Sequence, residues 1–143
     1  MLKSILTAMA VCAHAHAVSE SFLNTLAQVE SSNNPAAIGD GGLARGLYQM
    51  HRPAWEDATR IRRAAGQTVH PYADAILPGP ARAYARTYAD HLERRLTRTL
   101  GRRSTGQEIW CAWNMGYANF ARISFDVDRA PSATRRKSTL FAD

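Results

Sequence analysis

Cysteine is scarce in this chain: two residues in 143, Cys12 and Cys111. His51, His70 and His91 stand far apart, with no carboxylate or cysteine at the intervals a zinc site uses. Neither a metal site nor a cofactor is therefore expected. A glycine-rich phosphate loop and a Ser-His-Asp series are both missing, which argues against phosphate-loop nucleotide chemistry and serine-type hydrolysis. Internal repeats, linkers and low-complexity stretches are lacking too. Strand signals are almost absent outside residues 38–43, so the expected class is α+β, mainly α, with a small hairpin or flap. Acidic residues are the minority, 12 against 18 basic, for a formal charge of +6.

What is present begins with a leader. Lys3, an apolar stretch over residues 5–13 and Ala15-His16-Ala17 give the charged start, short apolar core and A-x-A site of a secretory signal peptide. The apolar stretch is shorter than the roughly 18 residues a membrane span needs. The expected domains are therefore residues 1–17 as signal peptide and residues 18–143 as one catalytic domain, exported to the periplasm or beyond, without a stable membrane span and monomeric. Cleavage removes Cys12, whose preceding Val11 does not suit lipid attachment, and leaves Cys111 as a small core residue with no disulfide partner. It also removes Lys3, leaving 17 basic residues against 12 acidic, a charge of +5. The expected partner is an anionic polymer or surface of the cell wall. Nucleic acid is not expected, because no nucleic-acid motif accompanies the charge.

Along the mature chain, Phe22, Leu23, Leu26 and Val29 fall near helical spacing, and the helix they define runs into Glu30 before Ser31-Ser32-Asn33-Asn34-Pro35 stops it. A second helix starts at Pro53 and fades near Gly66, and residues 67–79 read as an irregular crossing. Tyr84, Tyr88, Leu92 and Leu96 recur every four residues on a long helix from Pro80, closed by Gly101, and are read as core. Arginines line its other side. Thr105 and Glu108 form a capping box opening a helix with Ile109, Trp110 and Trp113. The polar tail over residues 126–143, with its basic Arg135-Arg136-Lys137, is expected to pack loosely or to be disordered.

The most informative stretch is LAQVESSNNPAAIGDGGLARGLYQM, which sets Glu30 at a helix end and Asp40 in a glycine turn ten residues later. Two acids across a cleft are the arrangement that cleaves glycosidic bonds. A carboxylic acid donates a proton near neutral pH only when burial raises its pKa, and Leu26, Val29, Leu47 and Met50 are placed to supply an apolar wall for Glu30. Asp40 reads equally as a turn residue capping the Gly41-Gly42 backbone.

Glu30-Ser31, Asn34-Pro35-x-Ala37, Gly46-Leu47-Tyr48-Gln49-Met50 and Ala112-Trp113-Asn114-Met115-Gly116 stand in this order. Together they resemble the E-S, N-P-x-A, G-L-x-Q-[MIL] and A-Y-N-x-G blocks of the lytic transglycosylases of the lysozyme-like superfamily. The resemblance covers residues 22–117. It implies a lysozyme-like fold and cleavage of peptidoglycan glycan strands between N-acetylmuramic acid and N-acetylglucosamine, with Glu30 as acid and then base. It further implies that Ser31 orients Glu30 or touches the sugar. Gln49 and Asn114 would bind substrate in the cleft, a role compatible with satisfying buried backbone groups. Gly46 and Gly116 would permit close backbone approach.

Two departures from the family pattern matter. Trp113 stands where tyrosine is usual, keeping an aromatic wall but losing a hydroxyl, so a hydrogen bond near Glu30 is either missing or supplied by Tyr117, Tyr48 or Tyr88. Asp40 stands where many transglycosylases have no acid. A transglycosylase needs one carboxylate, because the muramyl 6-hydroxyl attacks its own anomeric carbon. A muramidase must activate water or form an adduct, which is work for a second carboxylate such as Asp40. A non-catalytic wall-binding module is the remaining reading. Size and leader together suggest an accessory to a secretion or conjugation machine, or a phage lysis factor.

Overall fold

The computed structural model describes residues 17–142, so the leader expected over residues 1–17 lies, apart from Ala17, outside the described residues. Six α-helices and a three-stranded antiparallel sheet make up the described part, which is mainly helical α+β.

Helix α1 (Glu20–Ser31) starts where the Ser19 hydroxyl accepts from the Phe22 amide, and ends where Ser32 turns left-handed. Its Phe22, Leu23, Leu26 and Ala27 face the core. The flap that follows is a meander of three two-residue strands, β1 (Ile38–Gly39), β2 (Ala44–Arg45) and β3 (Met50–His51), with Ile38 opposite Arg45 and Ala44 opposite His51. It therefore reaches past residue 43, where strand signals fade in the sequence, because strands this short show no alternation. Gly46, at φ 76°, lies so close to the 72–76 turn that a Cβ would overlap the Ala75 carbonyl oxygen. Backbone contact of this kind locks the flap onto the body of the protein.

Helix α2 (Arg52–Ala64) carries Pro53 in its first turn, where the missing N–H costs nothing. Helix α3 (Pro78–Leu100) begins two residues earlier than the periodicity predicts, because Pro78 also suits a first turn, and Gly101 closes it at φ 68°. The crossing between them holds a 3-10 turn, Tyr72–Ile76, with Tyr72 buried and its hydroxyl donating to the Met50 or Leu43 carbonyl at 2.8 and 3.0 Å. Tyr84, Leu92 and Leu96 of α3 are fully buried, with Tyr84 stacked on Trp55 at 3.7 Å between centroids. Tyr88 departs from the expected core stripe: it is half-buried and meets Trp113 edge to face at 5.6 Å.

Helix α4 (Gly106–Met115) opens with the reciprocal Thr105–Glu108 capping box and buries Ile109, Trp110, Cys111 and Ala112. Gly116, at φ 84°, turns the chain into α5 (Tyr117–Arg122). Nothing lies within 4 Å of the position its Cβ would take, so within the protein it is the backbone conformation that calls for glycine here.

The tail corrects an expectation. Residues 126–142 do not hang loose: α6 (Ser132–Ser138) and a final 3-10 turn pack on α4, and Phe141 stacks on Trp110 at 4.9 Å and touches Phe22 at 5.0 Å. The buried set is Ala130, Thr134, Ser138 and Phe141, spaced as one helical face. Small and hydroxyl side chains hide that face from a hydrophobicity count. The Trp110 indole N–H also donates to the Thr134 carbonyl at 3.1 Å, fastening the tail to the core.

Candidate functional site

Where α1 ends, the flap folds across and α4 arrives, two adjoining cavities open. One, of about 200 Å³, is lined by Glu30, Asp40, Gln49, His51, Trp113 and Asn114. The other, of about 190 Å³, shares Gln49, His51, Trp113 and Asn114 and continues past Tyr88 to Gly116. Together they form a groove walled by the flap on one side and α4 on the other. A larger hollow of about 560 Å³ lies elsewhere, between α2 and α3. Several of its charged groups satisfy one another, with Glu20 bridging Arg82 and Arg86, so it offers fewer unspent groups than the Glu30 groove.

Glu30 is the penultimate residue of α1, and only part of it reaches solvent. Burial is the main force on its carboxyl and pushes the pKa up to about 7. The nearby positive charge of Lys137 and the polar N–H side of Trp113 pull the other way, while the Asp40 charge pushes it further up. The helix adds to the upward push, since the negative end of its dipole disfavours a carboxylate in the last turn. Near neutral pH the group is therefore divided between acid and carboxylate, as a proton donor that must later accept a proton requires.

Asp40 lines the same cavity but is well exposed, and its Oδ2 lies 2.7 Å from His51 Nε2. The pair exists because β2 and β3 fold back so that His51 lies opposite Ala44, close to the turn that holds Asp40. Asp40 sits at φ 49°, a left-handed conformation that aspartate tolerates better than most residues.

Ser31, expected to orient Glu30 or touch the sugar, ties the loop together. Its hydroxyl lies 2.8 Å from the Leu47 carbonyl and accepts from the Asn34 amide at 3.1 Å. Asn34 in turn accepts from the Ala36 amide at 3.0 Å, an Asx turn that shapes the start of the flap. Gln49 lines both cavities, but its amide nitrogen donates to the Ala37 and Gly46 carbonyls at 3.1 and 2.9 Å. That bonding holds the flap closed on itself and keeps Gln49 left-handed at φ 46°. Asn114 also lines both cavities, and its Oδ1 accepts from Thr134 Oγ1 at 2.7 Å.

Besides Ser31, two more expected binding residues lie outside the lining of this groove. Tyr48, in the turn between β2 and β3, is 1 % exposed, and its hydroxyl accepts from Arg82 at 3.0 Å, so its ring belongs to the core. Tyr117 packs against Phe125, lies under Arg95 and shares a 2.7 Å hydrogen bond with Thr99. None of the three tyrosines hydrogen-bonds Glu30 among the described residues, and the side chain that favours its carboxylate is Trp113.

His51, Lys137 and Thr134 were not expected at the site. His51 reads in the sequence only as a candidate metal ligand, and its approach to Asp40 depends on the hairpin register. Lys137 belongs to a run of basic residues that reads as solvated surface until α6 is seen to pack on α4. Among the described residues, no group of three or more His, Cys, Asp or Glu side chains is placed to hold a metal ion. In comparisons with known proteins, the chain matches no family model, no curated protein and no solved structure.

Proposed function

We propose that this protein cleaves the β-1,4 bond between N-acetylmuramic acid and N-acetylglucosamine in peptidoglycan, as a lytic transglycosylase with a lysozyme-like fold, after export. One observation carries the reading: a carboxyl group held near pKa 7 by burial, at the floor of a groove between a flap and a helix. General acid catalysis works best when the donor titrates near the working pH, and contributes about 10² to 10⁴ in rate. A flap folded over one wall and aromatic Trp113 and Tyr88 along the other suit an extended sugar chain.

In this mechanism, protonated Glu30 gives its proton to the oxygen leaving the anomeric carbon of the muramyl residue. The Glu30 carboxylate then removes the proton of the muramyl 6-hydroxyl as that oxygen bonds to the anomeric carbon. The result is a 1,6-anhydro end, no water is consumed, and Glu30 returns to its starting state. Lys137 and Trp113 support the carboxylate between the two steps, and Gln49 and Ser31 hold the flap that shapes the groove.

The second reading is hydrolysis, with Asp40 activating water. It is favoured by the presence of Asp40 and Glu30 in one cavity. The hydrogen bond from His51 to the Asp40 carboxyl supports the transglycosylase, because it commits that group to the flap. Digestion of purified peptidoglycan, with muropeptides read by mass spectrometry, separates the two. We expect ends lighter by one water, lost in Glu30→Gln and kept in Asp40→Asn. Reducing ends that vanish in Asp40→Asn would make the protein a muramidase, and no release by the unaltered protein would leave a wall-binding module.

A further inference from the structure

At the other end of α1 from Glu30 lies a small cavity of about 80 Å³, touched by Ala17, Val18, Glu93 and Arg103. Val18 is 6 % exposed, although it lies at the edge of the described chain. Its backbone nitrogen donates to Asp90 Oδ1 at 2.7 Å, and its carbonyl accepts from Arg86 at 3.0 Å. Glu93 lies on α3 three residues after Asp90, on the same face. Its side chain is only 4 % exposed, and its Oε1 is 3.9 Å from the Arg103 guanidinium. Its Oε2 has no hydrogen-bond partner among the described residues.

Half-buried Asp90 thus accepts from the Val18 nitrogen, while buried Glu93, with one oxygen unused, lines the small cavity that Val18 also touches. Burial pushes both carboxyls above the usual carboxylate range, and the Asp90 charge raises Glu93 further. The positive charges of Arg86, Arg94 and Arg103 oppose this without reversing it. An amide brings one proton and no charge to this place. A cationic nitrogen with three protons would suit it better, and it would stand where the sequence puts the end of the leader.

We propose that residues 1–17 are removed at the Ala17–Val18 bond and that the new α-ammonium of Val18 is bound by Asp90 and Glu93, which form a receptor for the processed terminus. A leader peptidase supplies the cleavage: one water is consumed, Ala17 leaves with a carboxylate, and the Val18 amine takes up a proton. Ala17 is exposed, so its departure takes nothing from the core. The unprocessed chain holds the same pocket with one neutral donor and an unsatisfied glutamate. Processing therefore tightens the join between α1 and α3, and with it the helix whose far end carries Glu30. The inference is independent of what the groove binds.

The test uses the full chain, exported from cells with its own leader. Intact mass should show a protein starting at Val18, and any other start overturns the proposal. Residues 18–143 contain a single lysine, Lys137, so an amine-reactive label reports on two amines only. Folded protein should label at Val18 about tenfold more slowly than the same protein unfolded in urea, the change that a one-unit rise in amine pKa produces. Equal rates overturn the proposal. Asp90→Asn and Glu93→Gln should each restore faster labelling at Val18 with Lys137 unchanged. Protection that survives in whichever variants fold also overturns it.

Discussion

Glu30 and Glu108 are both glutamates withdrawn from water on helices, and the protein treats them in opposite ways. Glu108 sits in the first turn of α4, 6 % exposed, where the positive end of the helix dipole favours a carboxylate. Burial pushes its pKa up, but Arg102 donates to it twice, at 3.0 and 2.6 Å, and the Thr105 amide donates at 2.8 Å, and together they bring it below the ordinary value. Glu30 sits in the last turn of α1, at the unfavourable end of a dipole, with no arginine forked onto it. Burial wins there, and the pKa rises to about 7. A carboxylate fully supplied with donors is spent on structure. One left short of them in a groove can still exchange a proton.

The contrast breaks most visibly at Glu30. Glu30→Gln keeps the shape and removes the proton donor, so peptidoglycan cleavage should fall by about 10² to 10⁴. The same substitution should leave the fold intact and stabilise it at alkaline pH. The folded-state pKa of Glu30 is raised, so the stability it contributes is full below about pH 4.5 and is lost as pH rises towards about 7. Over that window the cost of ionising it reaches about 3 kcal/mol at most, at roughly 1.4 kcal/mol per unit. Urea unfolding of both proteins from pH 4 to 8 checks this. The gap should open in favour of glutamine and level off above pH 7. A gap that stays flat would mean that Glu30 is solvated.

At Glu108 the expected result is reversed. Glu108→Ala removes the return half of the capping box and leaves the Arg102 fork without its acceptor, at a cost of about 2 kcal/mol. Activity per folded molecule should not change, since Glu108 lies outside the groove. Equilibrium unfolding and turnover at a temperature where both proteins are folded separate the two effects. A loss of activity without a loss of stability would undo the division between the two glutamates.

Legibility in the sequence followed the physical nature of each signal. Helices α1, α3 and α4 are legible because apolar periodicity, Gly101 and the Thr105–Glu108 box act locally. Glu30, Gln49, Trp113 and Asn114, which the ordered motif blocks single out, line the cavities of the groove. Two-residue strands carry no period, so the third strand, and with it the nearness of His51 to Asp40, stayed hidden. The packing of the tail is not legible because Thr134 and Ser138 are buried by position and not by hydrophobicity; Lys137 is exposed, as a basic run suggests, and only the packing of α6 brings its charge near Glu30. Tyr48 fails for the opposite reason: the motif points to the cleft, and the turn between β2 and β3 sends the ring into the core.

The finest test of the comparison is Trp113, because it supplies Glu30 with a fraction of what Arg102 and Thr105 give Glu108. Trp113→Phe keeps a ring against Tyr88 and removes the donor that favours the Glu30 carboxylate. With that support gone the pKa of Glu30 moves further above about 7, so the protonated acid persists to higher pH. The basic limb of the pH profile of cleavage should shift upward, by less than burial itself shifts it. Loss of the donor also leaves the second step, in which the carboxylate must form, with less support, so the maximum rate should fall. An unchanged limb with a lower rate would mean that Trp113 serves only as a wall for the sugar. A downward shift would mean that burial does not govern Glu30, and the contrast with Glu108 would then need another cause.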